Sequence, residues 1–319
     1  MAKIILIESD TVTTGDLDIT QFPIFQNAVV LSTNDTDALF SDHSDVEVLA
    51  VNKLQITKAV LDQLPNLKLI QILATGYDNV DLEACKEKGI HVFNVSGYST
   101  HSVAQHVFAL LLSITNKVNY HWQMSRDGIW SNESKFCFYA PNIPELNNKI
   151  FGIIGLGDIG LATAEIALAF GMDVVTYTRS PEKIKNDRIK PLSLEEVTQI
   201  SDVISLHVPL TEDTSEMVDT QFLEAMKDSA ILINTARGGL INEKGLYDAL
   251  RAKKIKAAAL DVLTSEPPEQ DNPLLELTNC IVTSHMAWAS IDARSRLLKW
   301  ASDNISGFIN EGKSDNALV

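Results

Sequence analysis

The segment Lys149-Ile150-Phe151-Gly152-Ile153-Ile154-Gly155-Leu156-Gly157-Asp158-Ile159-Gly160 decides the fold of this chain. Its apolar run is too short for a helix and stops at three glycines with the spacing G-x-G-x-x-G. The residues from Leu161 to Phe170 carry an apolar stripe and end at Gly171, which predicts a helix that opens at the glycines. A second strand is predicted at 174–178. The order is therefore a strand, a phosphate-binding turn, a helix and a strand.

Each glycine of this turn has its own predicted role. Gly155 makes the tight turn, Gly157 lets backbone N–H groups approach a pyrophosphate, and Gly160 lets the helix pack on the strand. Such a motif alone also occurs in flexible connections, but here the strand and the helix that it requires are on both sides. We therefore predict a dinucleotide-binding turn that also includes Asp158 and Ile159.

The bulk composition limits the class of protein. A chain of 319 residues predicts about two domains, and 45% hydrophobic content is ample for globular cores. A net charge of -16 disfavours nucleic acid and anionic membranes as partners. The three cysteines are far apart and lack metal-ligand spacing, and no secretory signal is expected because Glu8 and Asp10 interrupt the first apolar run. We expect a reduced cytoplasmic protein without a metal site.

Both halves of the chain alternate short β-branched runs with helix-like intervals, which predicts parallel sheets. The fold class is α/β, with two doubly wound parallel-sheet domains, the first flavodoxin-like and the second a Rossmann domain. The first half carries predicted strands at 4–7, 29–31, 46–51, 67–73 and 91–95, and the second at 150–154, 174–178, 203–207, 230–234, 257–262 and 280–284.

Several helices are also predicted. A short helix at Leu82 to Lys88 ends at Gly89, Ser193 opens a capping box, and Asn242 caps the helix that follows it. A long helix covers about 100–118. The tail from Ile291 to Phe308 is a helix with one apolar face, which is expected to pack on the first domain and make it discontinuous.

The segment 119–148 has many aromatic residues and no clean periodicity, so it is predicted to be an extended arm. Its aromatic side chains either pack locally or cover a partner subunit. We favour the second alternative and expect a homodimer.

The residue after the second strand of a Rossmann unit distinguishes two cofactors. A carboxylate there binds the ribose 2′-hydroxyl of NAD(H), but this chain has Thr178-Arg179-Ser180. An Arg beside two hydroxyls can instead bind a 2′-phosphate. The segment favours NADP(H), with NAD(H) as the alternative, unless it is only a solvated turn.

Three side chains that can carry chemistry follow successive strands of the second domain. They are Arg237, Glu266 and His285, and ligands of open α/β sheets bind at such carboxyl ends. Each alone could be structural: a surface Arg, a Glu in a turn before two prolines, or a core His. The three together predict an active site.

Several motifs carry a family resemblance. They are Gly155 to Gly160, Asn234-Thr235-Ala236-Arg237-Gly238, Ala259-Leu260-Asp261-Val262, Glu266-Pro267 and His285. With them the chain resembles, over nearly its whole length, the D-isomer-specific 2-hydroxyacid dehydrogenase family. Within the family, the chain most resembles the branch of glycerate dehydrogenases, also called hydroxypyruvate and glyoxylate reductases. The motifs that suggest this branch are Ala74-Thr75-Gly76-Tyr77-Asp78, Ser102-Val103-Ala104-Gln105 and His285-Met286-Ala287-Trp288-Ala289.

The resemblance implies roles for the candidate residues. Arg237 would bind the carboxylate of a small 2-keto acid and polarise its carbonyl group, His285 would donate the proton, and Glu266 would orient the His. The backbone of Thr75 and Gly76 would hold the substrate carboxylate across an interdomain cleft. The nicotinamide and its ribose would be lined by Val208, Pro209, Thr235, Ala236 and Asp261.

The implied domains are a substrate domain, at 1–99 and 291–319, and a dinucleotide-binding domain at 100–290. The implied reaction is the reduction of hydroxypyruvate or glyoxylate to D-glycerate or glycolate. Glu266 argues against the related formate dehydrogenases, in which the resemblance implies a Gln in place of this Glu beside the His. A nucleotide-sensing corepressor, or a D-2-hydroxyacid dehydrogenase for another side chain, is the alternative.

Overall fold

A computed structural model describes residues 2–33, 36–312 and 317–319 of the chain. The chain packs as two compact units, Met1–Ser99 with Trp288–Val319, and Thr100–Ala287. Unit 2 therefore ends at Ala287, three residues before the predicted end of the dinucleotide-binding domain at 290.

Unit 1 is built on a parallel five-stranded sheet with the order β2-β1-β3-β4-β5, the flavodoxin-like arrangement. Its elements up to Ser99 are β1 (Ile4–Leu6), α1 (Ser9–Val12), β2 (Val29–Val30), α2 (Thr36–Ser41), β3 (Val48–Val51), α3 (Lys58–Asp62), β4 (Leu69–Ile72), α4 (Leu82–Lys88) and β5 (His91–Phe93).

The C-terminal helix completes unit 1. α11 (Ile291–Glu311) buries Leu297, Leu298 and Ile305 in the same core as Leu6 and the other side chains on that face of the sheet. The opposite face forms a separate core that begins with Ile5 and Ile7. Because successive strand residues point to opposite faces, a sheet covered on both sides needs the continuous apolar strands seen in the sequence.

Unit 2 is built on a parallel seven-stranded sheet with the order β12-β11-β10-β9-β6-β7-β8. This is the Rossmann order with one added strand. Its elements are α5 (Thr100–Asn116), α6 (Val118–Arg126), β6 (Ile150–Ile154), α7 (Asp158–Ala169), β7 (Asp173–Tyr177), β8 (Ile189–Pro191), α8 (Leu194–Ile200), β9 (Val203–Leu206), α9 (Thr220–Ala225), β10 (Ile231–Asn234), α10 (Glu243–Arg251), β11 (Ala257–Leu260) and β12 (Cys280–Val282).

The predicted fold class is confirmed, and so is each predicted strand within a few residues at its ends. The prediction of six strands in the second half is wrong, because β8 is a seventh. β8 has three residues, two of them exposed, and ends in Pro191 at the edge of the sheet. A strand this short and polar has no periodicity to detect, and an edge position tolerates proline.

The predicted arm contains regular structure, contrary to expectation. The long helix stops at Asn116 because Lys117 takes a left-handed conformation with φ 53°, and α6 then starts at Val118. α6 has nine residues and buries none of its side chains, so it is not one of the core-facing helices that an apolar stripe predicts.

The predicted caps are confirmed. Ser193 and Glu196 form the capping box of α8, the side chain of Asn242 accepts a hydrogen bond from Gly245, and Gly89 ends α4 with φ 67°. No helix in the described parts of the chain is long and apolar enough to span a membrane.

Candidate active site

The glycine turn after β6 has the geometry that its spacing predicts. Gly155 has φ +96°, and a Cβ there would lie 2.7 Å from the carbonyl oxygen of His207. A Cβ on Gly160 would lie 2.2 Å from the carbonyl oxygen of Gly155, so helix α7 can start here only without a side chain. A Cβ on Gly157 would meet no atom within 4 Å, which leaves the N-terminus of α7 open to a ligand.

A cavity of about 1310 Å³ opens at this turn. It lies beside the point where the sheet reverses its strand order, between β6 and β9, which is where open α/β sheets bind nucleotides. The cations Lys183 and Lys185 also line it, as does Glu182. Of the predicted cofactor residues, its lining includes Gly155, Gly157, Asp158, Thr178, Arg179, Ser180, Val208 and Pro209, but not Ile159, Gly160, Thr235, Ala236 or Asp261.

Arg179 is exposed at the end of β7, and within the described chain its side chain forms no ion pair. The backbone N–H of Ser180 donates to the hydroxyl of Thr178 at 3.3 Å, which shapes the turn around it. An exposed guanidinium on the rim of the cavity is placed to bind an anionic ligand.

His207 is a residue of this cavity that the sequence analysis did not single out. Its Nε2 lies 2.9 Å from the hydroxyl of Ser205, and burial of the ring lowers the pKa of His207 to about 4. The imidazole is therefore neutral at physiological pH. The sequence offers only the position of His207 after β9 as a signal, because its lowered pKa is caused by burial.

The turn after β10 presents Arg237 through a buried asparagine. The side-chain amide of Asn234 donates to the Arg237 carbonyl oxygen at 2.8 Å, and its oxygen accepts from the N–H of Ala236 at 3.0 Å. The hydroxyl of Thr235 is buried and has no hydrogen-bond partner within the described chain. Such an orphaned group fits the predicted contact with a bound nicotinamide cofactor, because a ligand could satisfy it.

A close backbone approach joins this turn to the next loop. A Cβ on Gly238 would lie 2.0 Å from the carbonyl carbon of Leu263, so the Arg237-Gly238 turn packs directly on the loop that carries Glu266. Within that loop the N–H of Leu263 donates to Glu266 Oε1 at 3.0 Å. Arg237 is half-buried, and its Nη1 donates to the carbonyl oxygen of Ala236 at 2.8 Å.

Glu266 and His285 form a hydrogen-bonded pair. Glu266 Oε2 lies 2.6 Å from His285 Nδ1, and the side chains are 34% and 25% exposed, so ligands can reach both. Because a carboxylate is an acceptor, Nδ1 is the donor, which leaves Nε2 of the imidazole for a ligand. Two of the three predicted catalytic side chains are thus brought into direct contact.

The carboxylate of Asp261, at the end of β11, is turned into the protein. Its side chain is fully buried and accepts hydrogen bonds from the backbone N–H groups of Met286 and Ala287. The predicted contact of Asp261 with a nicotinamide stays a prediction. The carboxylate already has partners within its own unit.

Thr75 and Gly76, the predicted substrate residues, follow β4 in unit 1. The hydroxyl of Thr75 donates to the carbonyl oxygen of Val95 at 2.9 Å, and the side chain of Asn94 donates to the Thr75 carbonyl oxygen at 2.7 Å. These bonds fix a short loop at the carboxyl end of the strand. Thr75 is exposed and Gly76 half-buried, so a ligand can reach this backbone.

Comparison with known proteins identifies the family. The model of the D-isomer specific 2-hydroxyacid dehydrogenase NAD binding domain matches residues 108–287. A hydroxypyruvate reductase of Blautia hydrogenotrophica is 38% identical over 312 residues, which cover 96% of this chain and 97% of that protein. A glycerate dehydrogenase of Methylorubrum extorquens is 40% identical over 274 residues, 85% of each protein.

A solved structure is similar over the whole chain. It is the NADPH-dependent glyoxylate/hydroxypyruvate reductase of Sinorhizobium meliloti in complex with NADP and malonate, with a TM-score of 0.84 and 27% identity. The match covers 100% of this chain and 97% of that one. Together with the glycine turn and the two parallel sheets, these matches show that the chain belongs to the D-isomer specific 2-hydroxyacid dehydrogenase family.

Proposed function

We propose that this protein is an NAD(P)H-dependent reductase that converts hydroxypyruvate or glyoxylate to D-glycerate or glycolate. The observation that carries the proposal is the 2.6 Å contact between His285 and Glu266 at the carboxyl edge of a dinucleotide-binding sheet. A His paired with a carboxylate at this edge is suited to move a proton to or from a bound carbonyl group. The names of the relatives support hydroxypyruvate and glyoxylate as the substrates.

The proposed proton donor is Nε2 of His285. The carboxylate of Glu266 holds Nδ1, so the ring keeps one orientation and Nε2 faces the ligand side. A nicotinamide cofactor held at the glycine turn would supply the hydride for the carbonyl carbon. His285 gives its proton to the carbonyl oxygen and regains one from water. In the oxidation direction the neutral His285 accepts the hydroxyl proton.

Two groups are proposed to bind the substrate. The guanidinium of Arg237 pairs with the carboxylate and polarises the keto oxygen, and the family resemblance assigns the carboxylate also to the backbone of Thr75 and Gly76. A guanidinium suits this work because it is always charged and presents its donors as a fork. The chain carries a net charge of -16, so an anionic substrate needs such local donors.

We propose NADP(H) as the favoured cofactor. β7 ends at Tyr177 and is followed by Thr178, with no carboxylate to repel a 2′-phosphate. Arg179, Lys183 and Lys185 all line the cavity at this point. NAD(H) is the alternative, since Glu182 also lies on the rim.

The arm is proposed to cover a second copy of the chain, so that the protein is a homodimer. Phe136 is 92% exposed, Tyr139 72% and Trp122 56%, and so large an apolar surface is typical of an interface. Analytical ultracentrifugation should give twice the 35.1 kDa chain mass. Phe136→Ser and Tyr139→Ser together should shift it to the monomer. A monomer at micromolar concentration would contradict the proposal.

A cytoplasmic location is also proposed. Cys85, Cys137 and Cys280 are all free thiols. This usage fits a reducing compartment. Fractionation of cells that express the tagged protein would test the location, and export to an oxidising compartment would contradict it.

The activity is tested by initial rates of cofactor oxidation with purified protein. NADPH and NADH are each compared against glyoxylate, hydroxypyruvate and pyruvate. We expect the fastest rates with NADPH and with hydroxypyruvate or glyoxylate. A preference for NADH would discard the cofactor assignment alone, and tight cofactor binding without turnover of any keto acid would favour a nucleotide sensor.

A further inference from the structure

His121 lies in α6, at the start of the arm, and both nitrogens of its ring have a backbone partner. Nδ1 lies 2.8 Å from the carbonyl oxygen of Lys117, one helical turn earlier. Nε2 lies 2.9 Å from the backbone nitrogen of Ala140, 19 residues further along the chain. Because a carbonyl oxygen accepts and a backbone N–H donates, the ring carries its proton on Nδ1 and a lone pair on Nε2. This arrangement requires a neutral imidazole.

Further contacts hold the same segment, 138–141, against α6. The ammonium group of Lys117 donates to the Pro141 carbonyl oxygen at 3.0 Å. The ring of Phe138 lies 6.3 Å from that of His121, and the ring of Tyr120 lies 5.4 Å from it, nearly at right angles. His121 is the member of this cluster whose hydrogen bond to the segment depends on its protonation state.

The segment held in this way carries part of the exposed aromatic surface of the arm. Ala140 is buried, whereas the adjacent Tyr139 is exposed. Since neighbouring residues share a peptide unit, fixing the backbone of Ala140 also fixes the direction in which Tyr139 projects. The interface that we propose for the homodimer therefore depends on the contact between His121 and Ala140.

The surroundings of His121 do not favour a second proton on the ring. α6 packs on α5 and on the short helix Trp130–Asn132, and none of these elements, nor the segment 137–141, contains a carboxylate. The nearest carboxylate along the chain, that of Asp127, accepts from the side chain of Gln123. The other titratable groups on or beside these elements are His101, His106, Lys117, Tyr120, Arg126, Cys137 and Tyr139.

Protonation would turn Nε2 from an acceptor into a donor. The ring N–H and the backbone N–H of Ala140 would then face each other without an acceptor, which removes the bond and leaves two donors unsatisfied. Imidazole groups take up this proton between about pH 8 and pH 5. The contact is therefore complete at the upper end of this range and is lost as the pH falls.

We propose that His121 is a pH-sensitive latch of the arm, closed when its ring is neutral and open when the ring is protonated. Opening releases the segment 138–141 from α6 and turns Tyr139 out of the interface, so the homodimer dissociates as the pH falls. The effect on assembly rests on the homodimer proposed above, whereas the latch itself rests on the two ring contacts of His121.

The expected direction is opposite to the effect of the overall charge. The chain carries a net charge of -16 at pH 7 and has a pI near 4.8. Acidification toward the pI lowers the repulsion between two copies and should strengthen their association. Dissociation on acidification would therefore point to a local group and not to the net charge.

The test measures the dimer dissociation constant by analytical ultracentrifugation between pH 8 and pH 5.5 at constant ionic strength. The wild type is compared with His121→Gln, whose amide oxygen can accept from the N–H of Ala140 but cannot take up a proton. The matched control is His91→Gln. His91 is an exposed histidine of β5 whose ring contacts Phe93 and Phe308, outside the arm.

We expect the dissociation constant of the wild type and of His91→Gln to rise at least about tenfold from pH 8 to pH 5.5. That of His121→Gln should change by less than about threefold over the same range. A wild-type constant that does not rise on acidification would overturn the inference, and so would a rise of equal size in His121→Gln.

A second readout does not depend on assembly. In ¹⁵N-histidine NMR spectra the signals that His121→Gln removes should show the neutral Nδ1–H form at pH 8 and the imidazolium at pH 5.5. The Ala140 amide should lose its protection against hydrogen exchange, measured relative to the unfolded chain, over the same interval. An Nε2–H form at pH 8, or protection that does not change with pH, would overturn the latch. A wild type that is monomeric at every pH would contradict the homodimer, while the protection of Ala140 would still decide the latch.

Discussion

The carboxyl edge of the seven-stranded sheet has two halves that work by different means. In the phosphate half, the loops after β6, β7 and β9 surround a cavity with backbone groups and the exposed guanidinium of Arg179. In the catalytic half, the loops after β10, β11 and β12 hold side chains by short hydrogen bonds, such as the pair Glu266 and His285. The first half needs the absence of side chains, and the second needs particular ones.

This difference predicts what mutation will do. A change in the phosphate half should alter the affinity for the cofactor or the preference between NADPH and NADH. A change in the catalytic half should instead alter the rate with the cofactor already bound. The comparison is supported if substitutions in the phosphate half change cofactor binding and substitutions in the catalytic half change the rate.

The largest effect is expected for His285→Ala. Loss of the proposed general acid should lower kcat by about two to four orders of magnitude, with the Kd for NADPH nearly unchanged. Steady-state kinetics and NADPH fluorescence titration measure the two quantities. His285→Gln is the matched variant, because its amide can still donate to Glu266 but cannot transfer a proton, and it should lose as much. A variant that kept most of its rate would remove His285 from the mechanism.

A smaller loss is expected for Glu266→Gln. A hydrogen bond to a charged group contributes about 1.5–3 kcal/mol, so kcat should fall roughly 10- to 100-fold as Nδ1 of His285 loses its charged acceptor. Glu243→Gln is the control, since Glu243 accepts from the Thr264 N–H at 2.6 Å and holds the same loop without touching His285. If both variants lost the same rate, Glu266 would act through loop stability alone.

The two halves also differ in how far the sequence predicts them. The glycine turn was predicted correctly because steric limits tie Gly155 and Gly160 to their positions, and the alternation of apolar runs predicted both parallel sheets. The places of Glu266 and His285 after neighbouring strands predicted a shared site, and their pairing was implied by the family resemblance. The roles of these residues stay predictions.

What the sequence did not predict depends on contacts or on very short elements. The fully buried carboxylate of Asp261 and the low pKa of His207 arise from neighbours distant in the chain, such as His106 for Asp261. β8 and α6 were not predicted from the sequence because neither has a buried stripe long enough to form a period. Local pattern fixes backbone geometry, whereas burial and partner choice belong to the packed structure.

In the phosphate half, Arg179→Ala should change cofactor preference. Loss of a charge-assisted bond to the 2′-phosphate should raise the KM for NADPH about tenfold and change that for NADH by less than about twofold. Arg188→Ala is the control, because Arg188 lies on the same segment but does not line the cavity, and it donates to the Leu168 carbonyl oxygen. An equal effect of Arg179→Ala on both cofactors would mean that this segment is only a solvated turn and that Arg179 does not bind the 2′-phosphate.

The smallest effect concerns His207, where the phosphate half meets the core. The unfolded chain binds a proton at this group near the ordinary pKa of 6.5, whereas the folded protein binds it only near 4. The stability that the neutral ring contributes is therefore complete above about pH 6.5 and is lost as the pH falls toward 4. His207→Gln cannot take up this proton, so its deficit in the free energy of unfolding should shrink by about 1–2 kcal/mol between about pH 7 and pH 5.

Denaturant unfolding of both proteins across this pH range measures the deficit. At pH 7 the variant should be less stable by about 1 kcal/mol, since it disturbs the contact with Ser205 at 2.9 Å, and near pH 5 this deficit should have vanished or reversed sign. A deficit that did not change with pH would mean that the ring is protonated as easily in the folded protein as in the unfolded one. The phosphate half would then admit water to the end of β9, and its wall beside the glycine turn would be polar rather than dry.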